Sequence, residues 1–161
     1  MRTRIVHPIP PVYDKESRIL ILGSFPSVKS REGAFFYHHP QNRFWKVISA
    51  LYREPLPNTV EDKKRLLLQH RIALWDVIES CEIVGSSDSS IRNVVPNDIS
   101  AILRTADIQR IIANGGTAYT LYMKYIYPKT NREIIKLPST SPANAAFSLE
   151  RLLEEWSCII L

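Results

Sequence analysis

The sequence predicts an α/β domain, a three-layer α/β/α sandwich built on a central, mostly parallel sheet. Three observations lead there. Short apolar runs of the kind that form strands buried on both faces alternate with longer segments of helical periodicity. The 161 residues, 45% hydrophobic and 23% charged, suffice for one packed core but not two. No repeat, low-complexity run or composition break divides them, so residues 1–161 read as a single domain.

Taken in order, residues 1–17 contain Pro8-Ile-Pro-Pro11 and are expected to run extended over the surface as an arm, because proline disfavours both helix and ladder donation. Arg18 to Leu22 is a continuous apolar run ending at Gly23 and predicts a buried strand. Phe44, Val47, Ile48 and Leu51 recur at helical spacing. Thr59, with Asp62 three residues on, resembles a capping box and opens a helix to about Gln69. Ile72 to Val77 is a predicted strand, and Asn97 or Asp98 caps a helix reaching Arg104. Ile108 to Ala113 predicts a strand, Gly116 to Tyr125 a helix and Glu133 to Leu137 another strand. Leu149, Leu152, Leu153 and Trp156 mark the last helix, followed by an expected terminal strand from Cys158 to Leu161.

The apolar runs are far shorter than the ~20 residues a membrane-spanning helix needs, and the basic N-terminus is followed by no secretion-signal core. The expectation is a cytoplasmic, nucleoid-associated monomer. Cys81 and Cys158 lie in no Cys-x-x-Cys spacing and read as reduced core thiols. The four histidines form no zinc-binding helical pair, so no metal is expected. The formal charge of +5 is confined to residues 1–60, which hold nine Lys/Arg against four Asp/Glu. Such a bias suits a polyanionic partner, although a basic solvated face would look the same.

In open α/β sheets, ligands bind beyond the carboxyl ends of the strands. Three predicted strands there feed Gly23-Ser-Phe-Pro-Ser27, Asn114-Gly-Gly-Thr117 and Pro138-Ser-Thr-Ser-Pro-Ala-Asn144. Between the first two lies Phe35-Phe-Tyr-His-His-Pro-Gln-Asn-Arg-Phe-Trp45, whose five aromatics interleave with His38, His39 and Arg43. That composition would suit a pocket that stacks a nucleobase and faces phosphate. The plainer alternative makes Phe44 and Trp45 core residues and Asn42 a helix cap. Asn114 to Thr117 is equally a phosphate cradle or a tight turn. Gly85-Ser-Ser-Asp-Ser-Ser90 is either a flexible polar loop or the source of a reactive carboxylate, Asp88. Cys81, Trp75 and Trp156 are assigned to packing.

Gly23 to Ser27, Tyr37-His-His-Pro-Gln-Asn-Arg-Phe-Trp45 and Leu137 to Asn144, in that order, resemble the uracil-DNA glycosylase superfamily. The hypoxanthine-DNA glycosylase branch is the most similar, ahead of the mismatch-specific uracil enzymes, and the resemblance spans Arg18 to Trp156. It implies a three-layer fold and hydrolysis, without metal or cofactor, of the bond between a damaged base and deoxyribose. It also implies that Gly23, Ser24, Phe25, Pro26 and Ser27 wall the base pocket, together with Tyr37, which would stack on the flipped base, and His39. Relatives carry Asp or Asn in the middle of the first motif, where this chain has Phe25. The resemblance therefore moves the catalytic duty to Asn42, with Asp88 in reserve. Arg43 and the loop Ser139, Thr140, Ser141, Pro142, Ala143 and Asn144 are implied to grip DNA containing a deaminated base.

An uncharged amide is a poor general base, so Asn42 would hold water while the C1′–N bond breaks largely first. Backbone N–H groups around Phe25 and Ser27 would then stabilise the departing anionic base. With no lysine in the matched motifs to form a Schiff base, the activity is expected to be monofunctional. Two alternatives stay open: the same reaction on uracil, and a catalytically silent nucleic-acid-binding module.

Overall fold

A computed structural model describes residues 3–160. The strands and helices, in chain order, are β1 (Thr3–Val6), β2 (Ile19–Gly23), α1 (Val28–Gly33), α2 (Phe44–Leu51) and α3 (Val60–Gln69). Next come β3 (Ile72–Asp76), β4 (Ile78–Ile83), β5 (Arg92–Pro96), α4 (Ser100–Thr105) and β6 (Arg110–Asn114). The chain closes with α5 (Gly116–Tyr125), α6 (Tyr127–Thr130), β7 (Ile135–Leu137) and α7 (Leu149–Trp156). The central sheet has the order β3-β2-β6-β7, every neighbouring pair parallel. This is the predicted α/β/α architecture.

The alternation of β2 explains the layers. Ile19 and Ile21 point into one core with Phe44, Ile48, Leu67, Leu152 and Trp156, so α2, α3 and α7 cover that face. Leu20 and Leu22 point the other way, against Ile102, Ile111, Tyr122 and Ile126 on the α4, α5 and α6 side. All five residues of β2 are buried, as a central strand of a covered parallel sheet requires. Thr59 caps α3 through the Asp62 amide at 3.0 Å. Asp98 accepts the Ser100 amide at the start of α4, whereas the Asn97 amide donates to the carbonyls of Asp76 and Ile78. Asn97 is thus a pin at the end of β3 rather than a cap.

The structure corrects three expectations. Residues 3–6 of the supposed surface arm form β1, an antiparallel partner of β4 in a second sheet of order β1-β4-β5. Proline removes the donor only at its own positions, so Thr3–Val6 pair freely, and Val12 bridges Leu74 through two backbone hydrogen bonds that cover the edge of β3. The expected last strand is instead a 3₁₀ turn at Ser157–Ile159, with Leu161 outside the described residues. The apolar signal there came from Ile159, which is buried in the core without pairing. Cys158 is exposed and so is not a core thiol; Cys81 is buried, and burial first of all raises its pKa. No described helix is long and apolar enough to cross a membrane.

Candidate active site

A cleft of about 530 Å³ opens beyond the carboxyl ends of β2, β3 and β6, within the range of small-ligand pockets. Gly23, Ser24, Phe25, Pro26 and Ser27 form one wall, with Tyr37, His39 and Asn42 beside them. Ser139, Thr140, Ser141, Pro142 and Ala143 close the far side, and Asp88 lies at the same cleft. Asn144 borders an adjoining, more open depression instead, and Arg43 borders neither.

Backbone pairing sets the first wall. Gly23 is in register with Asp76, and the carbonyls of Gly23 and Ser24 accept the amides of Val77 and Ile78. A Cβ on Gly23 would collide with Asp76 Oδ1 and lie 2.9 Å from the Tyr37 hydroxyl, so only glycine permits that approach. Ser27 caps α1 by accepting the Ser30 amide at 3.1 Å. The amides of Phe25 and Ser27 themselves donate no hydrogen bond among the described residues.

Tyr37 sits in the left-handed region at φ 53°, an uncommon conformation for a bulky residue and a mark of local strain. One face of its ring stacks on Phe44, centroids 4.2 Å apart, so stacking on a base can use only the other face. Its hydroxyl is sequestered with Asn114 nearby, yet has no partner at hydrogen-bond geometry. Burial first, then the charge of Asp76, pushes the Tyr37 pKa far up, which keeps this group a neutral donor.

Asn42 is held from two sides. Its Oδ1 accepts the Phe44 amide at 2.9 Å and the Thr140 hydroxyl at 2.9 Å. Because a backbone N–H can only donate, this network assigns the oxygen inward and leaves the NH₂ as the available group. Arg43 rather than Asn42 takes the N-cap position of α2, and Asn42, one residue earlier, braces the first helical amide while lining the cleft. Thr140 Oγ1 in turn accepts from Asn114 Nδ2, and Asn114 Oδ1 accepts the Thr140 amide, each at 3.0 Å. A closed network therefore ties the end of β6 to the loop after β7 and to Asn42.

That network corrects two of the residues expected to grip DNA. Thr140 is completely buried, so it cannot reach a DNA backbone. The Arg43 guanidinium donates to the carbonyls of Phe147, Ser141 and Asn144, while its own amide donates to Thr140. Arg43 staples the 138–148 loop instead of facing phosphate. Asn144 is also engaged within the loop, donating to the Ser139 carbonyl at 3.0 Å. Ala143 is exposed at the rim. Asn114 to Thr117 is a tight turn opening α5, with Gly115 at φ 98° packed against Ser139.

Asp88 stands in the loop joining β4 to β5 and accepts from Ser24 Oγ at 3.1 Å. Desolvation of its carboxyl among these neighbours raises the pKa first of all, the charge of Asp76 adds to it, and hydrogen bonds from Ser24 and Thr117 oppose the rise. The residue as a whole remains exposed, so the carboxyl is crowded rather than sealed from water.

Two residues escaped sequence reasoning. Asp76, 3% exposed, closes β3 at the cleft, and His7 reaches it from the residue after β1, Nε2 to Oδ2 at 2.8 Å. A carboxylate ending an otherwise apolar strand is the one signal that could have flagged Asp76; His7 offered none.

Comparison with known proteins follows the same lines. The sequence pattern of the uracil DNA glycosylase superfamily matches residues 10–158. A protein named hypoxanthine DNA glycosylase from Methanosarcina acetivorans is 35% identical over 93% of this chain and 94% of its own length. One of the same name from Methanosarcina barkeri is 32% identical over 66% of this chain and 68% of its own. An NMR solution structure of a candidate uracil DNA glycosylase from M. acetivorans superposes with a TM-score of 0.82 at 33% identity, covering 97% of both chains.

Proposed function

The chain belongs to the uracil DNA glycosylase superfamily, and from that premise we propose that it is a monofunctional DNA glycosylase that removes hypoxanthine from deoxyinosine. The observation that carries this reading is the convergence of Gly23–Ser27, Tyr37, Asn42 and the 139–143 loop on one cleft, from segments more than a hundred residues apart. The name borne by two relatives favours hypoxanthine over uracil.

A base stacked in a duplex cannot reach such a cleft, so the nucleotide must rotate out at a cost of a few kcal/mol, least for a mispaired base. The flipped base then lies against the wall of Gly23 to Ser27, beside the free face of Tyr37. As the C1′–N9 bond stretches, the electron pair moves onto the purine, and the unengaged amides of Phe25 and Ser27 stabilise the charge that develops. Water adds to C1′ and loses a proton, leaving an abasic site and free hypoxanthine. Asn42 holds that water through its NH₂, since its oxygen is already doubly occupied. It orients the water without taking the proton, which is compatible with chemistry in which bond breaking precedes attack. Of the two carboxylates at the cleft, Asp76 is committed to His7, so Asp88 is the one left to receive a proton. Arg43 and Thr140 act indirectly, as the frame of Asn42 and of the loop at the rim.

The deciding experiment incubates the protein with duplexes carrying one deoxyinosine or one deoxyuridine, followed by alkali to cleave abasic sites. Strand breaks at deoxyinosine are expected. Breaks only at deoxyuridine would move the activity to uracil, and none at either would refute the glycosylase reading.

A further inference from the structure

The imidazole of His7 has both nitrogens assigned by their neighbours. Nδ1 accepts the backbone amide of Ile9 at 3.1 Å, and since that amide can only donate, Nδ1 carries no proton. Nε2 therefore bears the hydrogen and donates it to Asp76 Oδ2 at 2.8 Å. The two side chains are only 3% and 4% exposed. The rings of Phe25, Phe36 and Trp75 surround the imidazole at centroid distances of 5.9, 6.0 and 6.3 Å, which prevents it from turning over. Asp76 Oδ1 accepts no hydrogen bond among the described residues and lies against Gly23 at the cleft. The floor of the pocket thus offers an unengaged carboxylate acceptor.

We propose that His7 is a positioning residue that fixes Asp76 as an obligate acceptor, so that the pocket takes bases presenting a ring N–H and rejects those presenting an unprotonated ring nitrogen at the same place. The proposal rests on the glycosylase reading and deepens it. Hypoxanthine carries N1–H, a donor that complements Asp76 Oδ1. Adenine has no hydrogen at N1 and sets that lone pair against the carboxylate. Buried polar groups left mismatched discriminate more sharply than shape alone. Without the Nε2–H donor, Asp76 is free to turn away from the cleft, and the selectivity is lost. The role is indirect, because His7 touches Asp76 and not the substrate.

Two measurements on the full chain test this. In a long-range ¹H–¹⁵N spectrum at neutral pH, His7 is expected as the Nε2–H tautomer, and the resonance should shift when free hypoxanthine is added but not when free adenine is. An Nδ1–H or doubly protonated ring, or equal shifts with both bases, would overturn the proposal even if the protein cleaved no deoxyinosine at all. Among variants, His7→Gln keeps an amide donor within reach of Asp76 and should retain most of the single-turnover rate on deoxyinosine. His7→Leu should lose roughly 10- to 100-fold, the range for a lost hydrogen bond to a buried charge. In an Asp76→Asn background that loss should vanish. Should His7→Leu not fold, His7→Asn, whose amide stops short of Asp76, replaces it. Equal rates for the donor-keeping and donor-lacking variants would end the proposal, whereas a wild-type protein inert on deoxyinosine with the expected spectrum would end only the glycosylase reading.

Discussion

Replacing Thr140 with valine removes one hydroxyl and keeps nearly the same shape, so its effect can be worked from two hydrogen bonds. The hydroxyl donates to Asn42 Oδ1 at 2.9 Å and accepts from Asn114 Nδ2 at 3.0 Å, in a residue with no solvent exposure. Losing both bonds and leaving the buried Asn114 donor unsatisfied should cost about 2–4 kcal/mol. For a chain of this size that lowers Tm by about 5–15 °C. Asn42 would keep the Phe44 amide as its one anchor, and the resulting freedom of its NH₂ should slow base excision by roughly 10- to 100-fold, the penalty typical of a misplaced catalytic group. Thermal denaturation and single-turnover cleavage of a deoxyinosine duplex measure the two effects. Thr140→Ser, which restores the hydroxyl, should recover most of both. A valine variant within about 0.5 kcal/mol of the wild type and fully active would show that the network neither supports the fold nor aims Asn42.

Three further predictions follow from single contacts. Asn42→Ala should depress excision by at least roughly 100-fold while deoxyinosine-DNA binding, followed by fluorescence anisotropy, stays within a few-fold; preserved excision would transfer the water-holding role to another residue. Gly23→Ala forces a methyl group into Asp76 Oδ1 and the Tyr37 hydroxyl, and should destabilise the protein by about 1–3 kcal/mol in urea titrations while abolishing excision; an unperturbed alanine variant would contradict the close approach. Asp88 has a raised pKa in the fold, so its ionisation opposes folding once the pH exceeds the unfolded carboxylate value near 4. Asp88→Asn should accordingly raise Tm at pH 7, with the gain vanishing as the pH is taken below that value; a variant less stable than wild type at pH 7 would reverse the sign.

The short α1 and α6 were not foreseen, whereas in the central sheet β2, β3 and β6 were legible because they are largely buried apolar runs, and α2, α3 and α7 because their stripes are periodic. The second sheet was not. β1 and β5 are short and largely exposed, the latter carries Arg92, Asn93 and Pro96, and its pairing with β4 is interrupted by register shifts. Such strands are held by their partners rather than by their own pattern. At the site, Asn42 and the Gly23–Ser27 turn lie in contiguous motifs and could be named in advance. Arg43 and Thr140 were named for the wrong task, because nothing in a residue type tells whether its donors meet phosphate or a loop carbonyl of the same chain. His7 and Asp76 stand 69 positions apart and meet only through the pairing of β1 with β4, a relation no local window contains.

The route of β1 has a practical corollary for anyone preparing this protein. The residue that clasps the pocket floor comes from the opening few per cent of the chain, carried on a ribbon that belongs to neither main core. A preparation clipped just before Pro8, with the released segment lost, would keep every residue of the four parallel strands and of both helical layers. It would lack the imidazole beneath Asp76 all the same.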